Sequence, residues 1–216
     1  MGYLDTIKEN GVVAIIRGAA PENIFEIAKA LSEGGVKTLE ITVETPKVMS
    51  LIESVRSKFP NLIVGAGTVL DPETARAAIL AGSQFIFSPT VNEETIRLTK
   101  RYGVISIPGA LTPTEILTAY EHGADVIKVF PANIYGPSYL KDVHGPLPHI
   151  PLMPTGGIDL HNVTDYIQTG AVAVGLGSAL VNTKKTMTKE YFDELTKKAA
   201  SFVEAVNQAR QGLYIE

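Results

Sequence analysis

A single unit, a short apolar strand followed by an amphipathic helical segment, recurs eight times along the 216 residues of the chain. The predicted strands are VVAIIRG from Val12, TLEITV from Thr38, LIVGAGTV from Leu62, FIFSPT from Phe85, VISIPGA from Val104, VIKVFPA from Val126, IPLMPTGG from Ile150 and AVAVGLGS from Ala171. Strict alternation predicts parallel strand pairing, because a helix between two strands returns the chain to the same edge of the sheet. Eight such units predict a closed (β/α)8 TIM barrel, and a doubly wound open sheet is the alternative.

Proline and capping residues mark the predicted helix starts. Proline suits the first helical turn because its missing N–H would have no partner there. The marked starts are APENI at Ala20, TPKV at Thr45, DPET at Asp71, NEET at Asn92, TPTE at Thr112 and DLHN at Asp159. The segment from Asn133 to His149 is rich in glycine and proline and gives the weakest helical pattern. Since no linker or low-complexity segment interrupts the units, residues 1–216 are predicted to form a single barrel domain.

Composition excludes several classes of function. The 19 lysines and arginines are outnumbered by 23 acidic residues and form no basic stripe, so we expect no nucleic-acid partner. The chain has no cysteine, which excludes disulfides and thiolate nucleophiles. No metal site is expected either, because HxH and HExxH spacings are missing among His122, His144, His149 and His161. No apolar run approaches the ~20 residues that span a bilayer, which predicts a soluble, cytoplasmic protein without a membrane partner.

Side-chain alternation along the strands separates the barrel interior from the helix-covered outside. In TLEITV the apolar residues suit the helix side, which leaves Glu40 pointing inward. The same alternation turns Lys128 inward and places Arg17 at the end of the first strand. With Thr68, these side chains are predicted at the C-terminal ends of the strands, where active sites of this fold lie.

Lys128 lies among apolar residues in VIKVFP, where a charged side chain is costly to bury. One interpretation is a buried ion pair with Glu40, although such pairs are often no more stable than apolar residues of similar volume. The other is amine chemistry. Burial and a nearby cation such as Arg17 lower the pKa of a lysine, and the neutral amine attacks a ketone to form a Schiff base. Glu40 would then carry protons to and from the reacting atoms.

Two glycine-rich motifs follow the last two strands: PTGGI at Pro154 and GLGSAL at Gly175. Glycine lets backbone N–H groups approach an anion, and a short helix expected to begin near Ser178 would direct its N-terminus to the same place. Either motif alone is also explained by a tight turn between a strand and a helix. Together, on consecutive strands, they predict a phosphate site.

The motifs LEIT, VGAGTV, IPGALTPTE, IKVFPA, PTGGI and VGLGSALV resemble, in this order, those of the 2-keto-3-deoxy-6-phosphogluconate (KDPG) and 2-keto-4-hydroxyglutarate (KHG) aldolase family. The resemblance runs from about Gly11 to Val181. It implies a class I aldolase, a homotrimer of (β/α)8 subunits that reversibly cleaves KDPG to pyruvate and glyceraldehyde 3-phosphate. KHG, cleaved to pyruvate and glyoxylate, is a second expected substrate. No cofactor is implied beyond the covalent Schiff base on Lys128.

The resemblance also assigns roles to residues. Lys128 matches the Schiff-base lysine, Glu40 the general acid and base, and Thr68 a contact to the pyruvyl carboxylate. The stereocontrol and phosphate region is matched by Thr155, Gly156, Gly157, Gly177 and Ser178.

One position departs from the family pattern. Some members carry an arginine four residues after the catalytic glutamate, and this chain has Glu44 there. Other members are similar to this chain in having the anchoring arginine at the end of the first strand, where AIIRG supplies Arg17. The resemblance therefore implies that Arg17 anchors the substrate carboxylate, and Glu44 is expected to pair with Lys47 or another surface cation. An anion at this place leaves the physiological keto acid open. The alternatives are an aldolase for a related 2-keto-3-deoxy sugar acid, a phosphate-binding barrel isomerase or synthase, and an inactive scaffold.

Overall fold

A computed structural model describes residues 2–212 as an α/β fold, in which parallel strands curl around an interior and helices pack on their outer side. The strands are β1 (Val12–Ile16), β2 (Thr38–Thr42), β3 (Ile63–Gly67), β4 (Phe85–Phe87), β5 (Ile105–Ile107), β6 (Gly109–Ala110), β7 (Ile127–Val129), β8 (Leu152–Pro154) and β9 (Val174–Leu176). The helices are α1 (Tyr3–Asn10), α2 (Ile24–Glu33), α3 (Val48–Lys58), α4 (Pro72–Leu80), α5 (Glu93–Arg101), α6 (Pro113–Glu121), α7 (Ser138–His144), α8 (Val163–Gln168) and α9 (Lys189–Gly212). The predicted alternation of strands and helices is confirmed.

The strands form two sheets with every pairing parallel. One has the order β5-β4-β3-β2-β1-β9 and the other β6-β7-β8. Pro108 alone separates β5 from β6, and an isolated bridge pairs Thr155, just after β8, with Gly175 of β9. Proline interrupts a ladder because it has no N–H to donate. The first five strands follow one another in order, without the reversal that marks a doubly wound sheet.

Buried apolar side chains fall into two clusters. The larger lies between the sheet and the helices. The smaller draws on both sheets and comprises Ile7, Val13, Ile15, Ile63, Phe85, Phe87, Ile105, Ile107, Val126, Met153 and Ala173. The alternation predicted for β2 is confirmed, since Leu39 and Ile41 belong to the outer cluster while Glu40 is buried between them on the opposite face. The curled strands of the two sheets therefore enclose an interior that is distinct from the helix-packed core.

Three predicted helix starts are confirmed in detail. The side chains of Asp71, Asn92 and Thr112 each accept a hydrogen bond from the backbone N–H three residues later. Glu115 completes a capping box with Thr112. These starts could be predicted because the cap is a local contact between residues three apart.

Other helix starts differ from the sequence prediction. The helix expected at Thr45 begins at Val48, after Lys47 adopts a left-handed conformation with φ 61°. The helix expected at Asp159 begins at Val163. The helix expected near Ser178 is a single turn, in which the N–H groups of Leu180 and Val181 donate to the carbonyl of Gly177. The weak segment from Asn133 to His149 does contain a helix, α7.

No helix within residues 2–212 combines the length and the apolar character that crossing a membrane requires.

Candidate active site

A cavity of about 580 Å³ opens where the strands end at their carboxyl termini. Eight of the nine predicted site residues line it: Arg17, Thr68, Lys128, Thr155, Gly156, Gly157, Gly177 and Ser178. The ninth, Glu40, is fully buried on β2. The structure thus brings together side chains that lie more than 150 residues apart in the chain.

Lys128 is buried on β7, with 4% of its surface exposed. Its Nζ lies 4.5 Å from the ring centroid of Phe87 and 4.7 Å from that of Phe130. Burial lowers the pKa of Lys128; the negative charge of Glu40 opposes this effect, and the positive charge of Arg17 adds to it. The two ring faces favour the protonated amine, so they also oppose the loss of its proton. Lys128 therefore loses its proton more readily than a lysine in water.

Glu40 has no hydrogen-bond partner for either carboxylate oxygen among the described residues. Burial raises its pKa to about 7, opposed by the charges of Lys128 and Arg17 and helped by that of Glu44. Because its oxygens have no partner in the described part of the chain, Glu40 does not form a hydrogen-bonded ion pair with Lys128, which was the other interpretation of this lysine. A carboxyl group with a pKa near neutrality can both donate and accept a proton at physiological pH.

Gly67 of β3 makes the space that Glu40 occupies. A Cβ atom at position 67 would lie 1.6 Å from Oε1 of Glu40, and one at Gly65 would lie 2.5 Å from the ring of Phe85. These two glycines alternate with outward residues on β3, so both face the interior. The sequence analysis did not predict that glycines of the VGAGTV motif make room for Glu40 and Phe85. The available signal was their spacing of two residues, which places both on the same face of the strand.

Arg17 connects two loops at the mouth of the cavity. Its Nη1 donates to Oε1 of Glu44 at 3.1 Å, and its Nη2 donates to Oγ1 of Thr68 at 3.1 Å. Of the described cations, it is Arg17 rather than Lys47 that pairs with Glu44. The reason is register: β1 and β2 pair in parallel with Ile16 opposite Ile41, so the residues just after each strand stand side by side.

The glycine-rich motifs bring bare backbone to the cavity. Gly156 and Gly157 have φ angles of 97° and 71°, which residues with side chains rarely adopt. A Cβ atom at Gly177 would meet nothing within 4 Å, so this position borders open space. Thr155 is buried, and its Oγ1 has no hydrogen-bond partner among the described residues. A helix N-terminus was expected near Ser178 as part of an anion site. The structure has glycine-rich loops and a single turn at this place instead.

No group of three histidine, cysteine, aspartate or glutamate side chains is arranged to hold a metal ion in the described part of the chain.

The family model described as "Aldolase: KDPG and KHG aldolase" matches residues 4–198. The chain is thus an aldolase, a carbon–carbon lyase. The chain belongs to the KDPG and KHG aldolase family.

Two curated relatives act on related sugar acids. The chain is 39% identical over 166 residues to the 2-dehydro-3-deoxy-phosphogluconate aldolase of Pseudomonas aeruginosa, with 76% of each protein covered. It is 33% identical over 202 residues to the 2-dehydro-3-deoxy-6-phosphogalactonate aldolase of Escherichia coli, with 93% of this chain and 96% of the relative covered. The two relatives are thus named for different sugar acids, one a phosphogluconate and the other a phosphogalactonate.

One similar solved structure carries covalently captured pyruvate. The KDPG aldolase of Legionella pneumophila, with pyruvate captured at low pH as a covalent carbinolamine intermediate, matches with a TM-score of 0.77 and 28% identity. The match covers 92% of this chain and 93% of that one.

Proposed function

We propose that this chain is a class I aldolase that reversibly cleaves KDPG to pyruvate and glyceraldehyde 3-phosphate through a Schiff base on Lys128. The observation that carries the proposal is a buried lysine on the cavity wall whose pKa burial lowers, close to a carboxyl group with a pKa of about 7. The covalent pyruvate in the Legionella relative supports the same chemistry. A phosphate-binding isomerase would leave both buried groups without a function.

The first half of the reaction forms the imine. The neutral amine of Lys128 attacks the C2 ketone carbon. Protonated Glu40 then donates its proton to the C2 oxygen, which leaves as water. The product is a protonated imine with Glu40 ionised. Because Glu40 has no competing partner among the described residues, its proton is available for this step.

The second half breaks the carbon–carbon bond. The C4 hydroxyl proton passes to Glu40, directly or through a water, while the electrons of the C3–C4 bond move toward the imine nitrogen. The aldehyde leaves and an enamine remains. Glu40 then protonates C3, and hydrolysis of the imine releases pyruvate and the free lysine. One carboxyl group with a pKa near 7 serves each proton transfer.

The remaining predicted residues bind the two ends of the substrate in this proposal. Arg17 and Thr68 receive the pyruvyl carboxylate at the mouth of the cavity. The phosphate lies against the glycine-rich loops that contain Thr155, Gly156, Gly157, Gly177 and Ser178. Positive φ angles at two of these glycines leave the backbone free of side chains there, which supports this placement.

A related sugar acid is the second candidate substrate. The Escherichia coli relative, which covers 93% of this chain, is named for the phosphogalactonate acid. KHG remains a further candidate, since it shares the pyruvyl half. Comparing kcat/KM for the three acids assigns the substrate, and we expect KDPG to be cleaved fastest.

The same proposal includes the architecture. We infer that residues 1–216 form one domain and that the two sheets close into a (β/α)8 barrel, supported by the short join at Pro108 and the bridge between Thr155 and Gly175. From the family resemblance we also infer a cytoplasmic homotrimer without a cofactor. Size-exclusion chromatography with light scattering tests the trimer.

Reductive trapping tests the chemistry. With pyruvate and borohydride, we expect the wild type to gain the mass of one reduced pyruvyl group and Lys128→Met to gain none. Lys37→Met, which removes an exposed lysine, is the matched control and should be trapped like the wild type. An adduct that persists in Lys128→Met would show that another lysine is the nucleophile.

A further inference from the structure

Glu44 contacts Arg17 but does not line the cavity. Arg17 and Thr68 belong to the cavity wall, whereas Glu44 is outside that lining. Glu44 accepts from Nη1 of Arg17 at 3.1 Å, and Thr68 accepts from Nη2 at 3.1 Å. The guanidinium is therefore held at both terminal nitrogens, by the loops that follow β2 and β3.

Such a hold matters because the side chain of Arg17 is 58% exposed. A free arginine in water samples many rotamers, and a ligand that binds it must restrict them. Partners that fix the guanidinium beforehand reduce this cost. Thr68 contributes to the hold because its backbone is kept at φ 59°, a conformation that β-branched residues rarely adopt. The loop after β3 thus places the hydroxyl of Thr68 within 3.1 Å of Nη2 of Arg17.

We propose that Glu44 is a positioning residue that holds Arg17 for the carboxylate of an α-keto acid, an inference that rests on the proposed function of Arg17. Glu44 itself contacts no substrate. A lone carboxylate at this place would repel a keto acid, but here its charge is paired with the guanidinium that the acid binds. The departure at position 44 therefore supports the carboxylate anchor at Arg17.

A double-mutant cycle tests this coupling. The variants are Glu44→Gln, Arg17→Ala and the two combined, and the readout is borohydride trapping over a range of pyruvate concentrations. Glu44→Gln should raise the half-saturating concentration about two- to fivefold, the effect of losing an exposed ion pair, without changing the trapped fraction at saturation. In the Arg17→Ala background, Glu44→Gln should cause no further rise.

Two further variants separate positioning from structure. Glu44→Asp keeps the charge on a shorter side chain and should recover part of the loss. Glu53→Gln removes an exposed carboxylate from the adjoining helix α3 and should bind pyruvate like the wild type. High salt should reduce the difference between Glu44→Gln and the wild type, because it screens exposed charges.

Several results would overturn the inference. Glu44→Gln could leave the half-saturating concentration unchanged or lower it, which would show that Glu44 is idle or repels the acid. An equal rise in the Arg17→Ala background would show that Glu44 does not act through Arg17. If the wild type gave no adduct at any pyruvate concentration, the proposed function itself would fail, and the inference with it.

Discussion

Glu40 and Glu44 are two carboxylates only four residues apart, yet they lie in opposite environments. Glu40 is fully buried in the interior of the curled sheet, and neither of its oxygens has a hydrogen-bond partner among the described residues. Glu44 lies at the rim, where its side chain is 49% exposed and pairs with Arg17. The same functional group is thus buried in the interior without a hydrogen-bond partner in the described part of the chain, and exposed in an ion pair at the rim.

The difference shows which force controls charge in each region. In the interior, burial has the largest effect on both Glu40 and Lys128, and it favours their neutral forms. At the rim, water screens the charges, and an ion pair fixes a side chain without a large gain in free energy. The interior is therefore suited to the proposed proton transfer, and the rim is suited to the proposed binding of an anion.

The largest expected contrast is in the pH dependence of stability. Because burial raises the pKa of Glu40 from 4.5 to about 7, the folded state holds a proton that the unfolded state has lost between these values. The contribution of Glu40 to the free energy of unfolding is therefore largest below pH 4.5. It falls as the pH rises to about 7, by up to roughly 3 kcal/mol. Glu40→Gln should lack this fall. The free energy of unfolding from denaturant titrations at several pH values measures it.

Glu44→Gln is the rim control for this experiment. Its stability should differ from that of the wild type by only ~0–1 kcal/mol, as for other exposed pairs. A Glu40→Gln variant whose stability falls with pH as steeply as that of the wild type would show that a group other than Glu40 causes the fall.

The sequence was sufficient to predict features that depend on local or periodic signals. Side-chain alternation in TLEITV turned Glu40 inward, and the position of Lys128 in an apolar strand indicated its burial. Asp71 and Asn92 were predicted as helix caps because a cap joins residues three apart. The carboxyl-end location of the cavity followed from parallel pairing alone.

Two kinds of feature could not be predicted: contacts between distant segments, and backbone conformations that lack a sequence signal. The ion pair of Glu44 with Arg17 depends on the register of β1 against β2, which the sequence does not specify. The left-handed conformation of Thr68 carries no sequence signal, since threonine normally avoids it. The helix expected at Ser178 is a single turn. The glycine-rich sequence before it did not indicate how long the helix would be.

Gly67→Ala should destabilise the interior by about 1–3 kcal/mol, the usual cost of overpacking a buried site. The added Cβ would lie 1.6 Å from Oε1 of Glu40, so the carboxyl group has to move. Gly177→Ala is the rim control, because its Cβ would meet nothing within 4 Å. The free energy of unfolding measures both changes. Equal values for the two variants would mean that Glu40 moves aside without cost.

The smallest expected effect concerns the two rings beside Lys128. Phe87 is fully buried and Phe130 is 36% exposed, while Nζ lies at similar distances of 4.5 and 4.7 Å from their centroids. A ring face attracts an ammonium group by ~0.5–1 kcal/mol where water has access and by ~2 kcal/mol where it is excluded. Phe87→Leu should therefore lower the pKa of Lys128 further, and the pH at which pyruvate trapping becomes half-maximal should move to lower values. Phe130→Leu should move it less. A shift to higher pH in Phe87→Leu would mean that water enters the interior and stabilises the ammonium group more than the ring does.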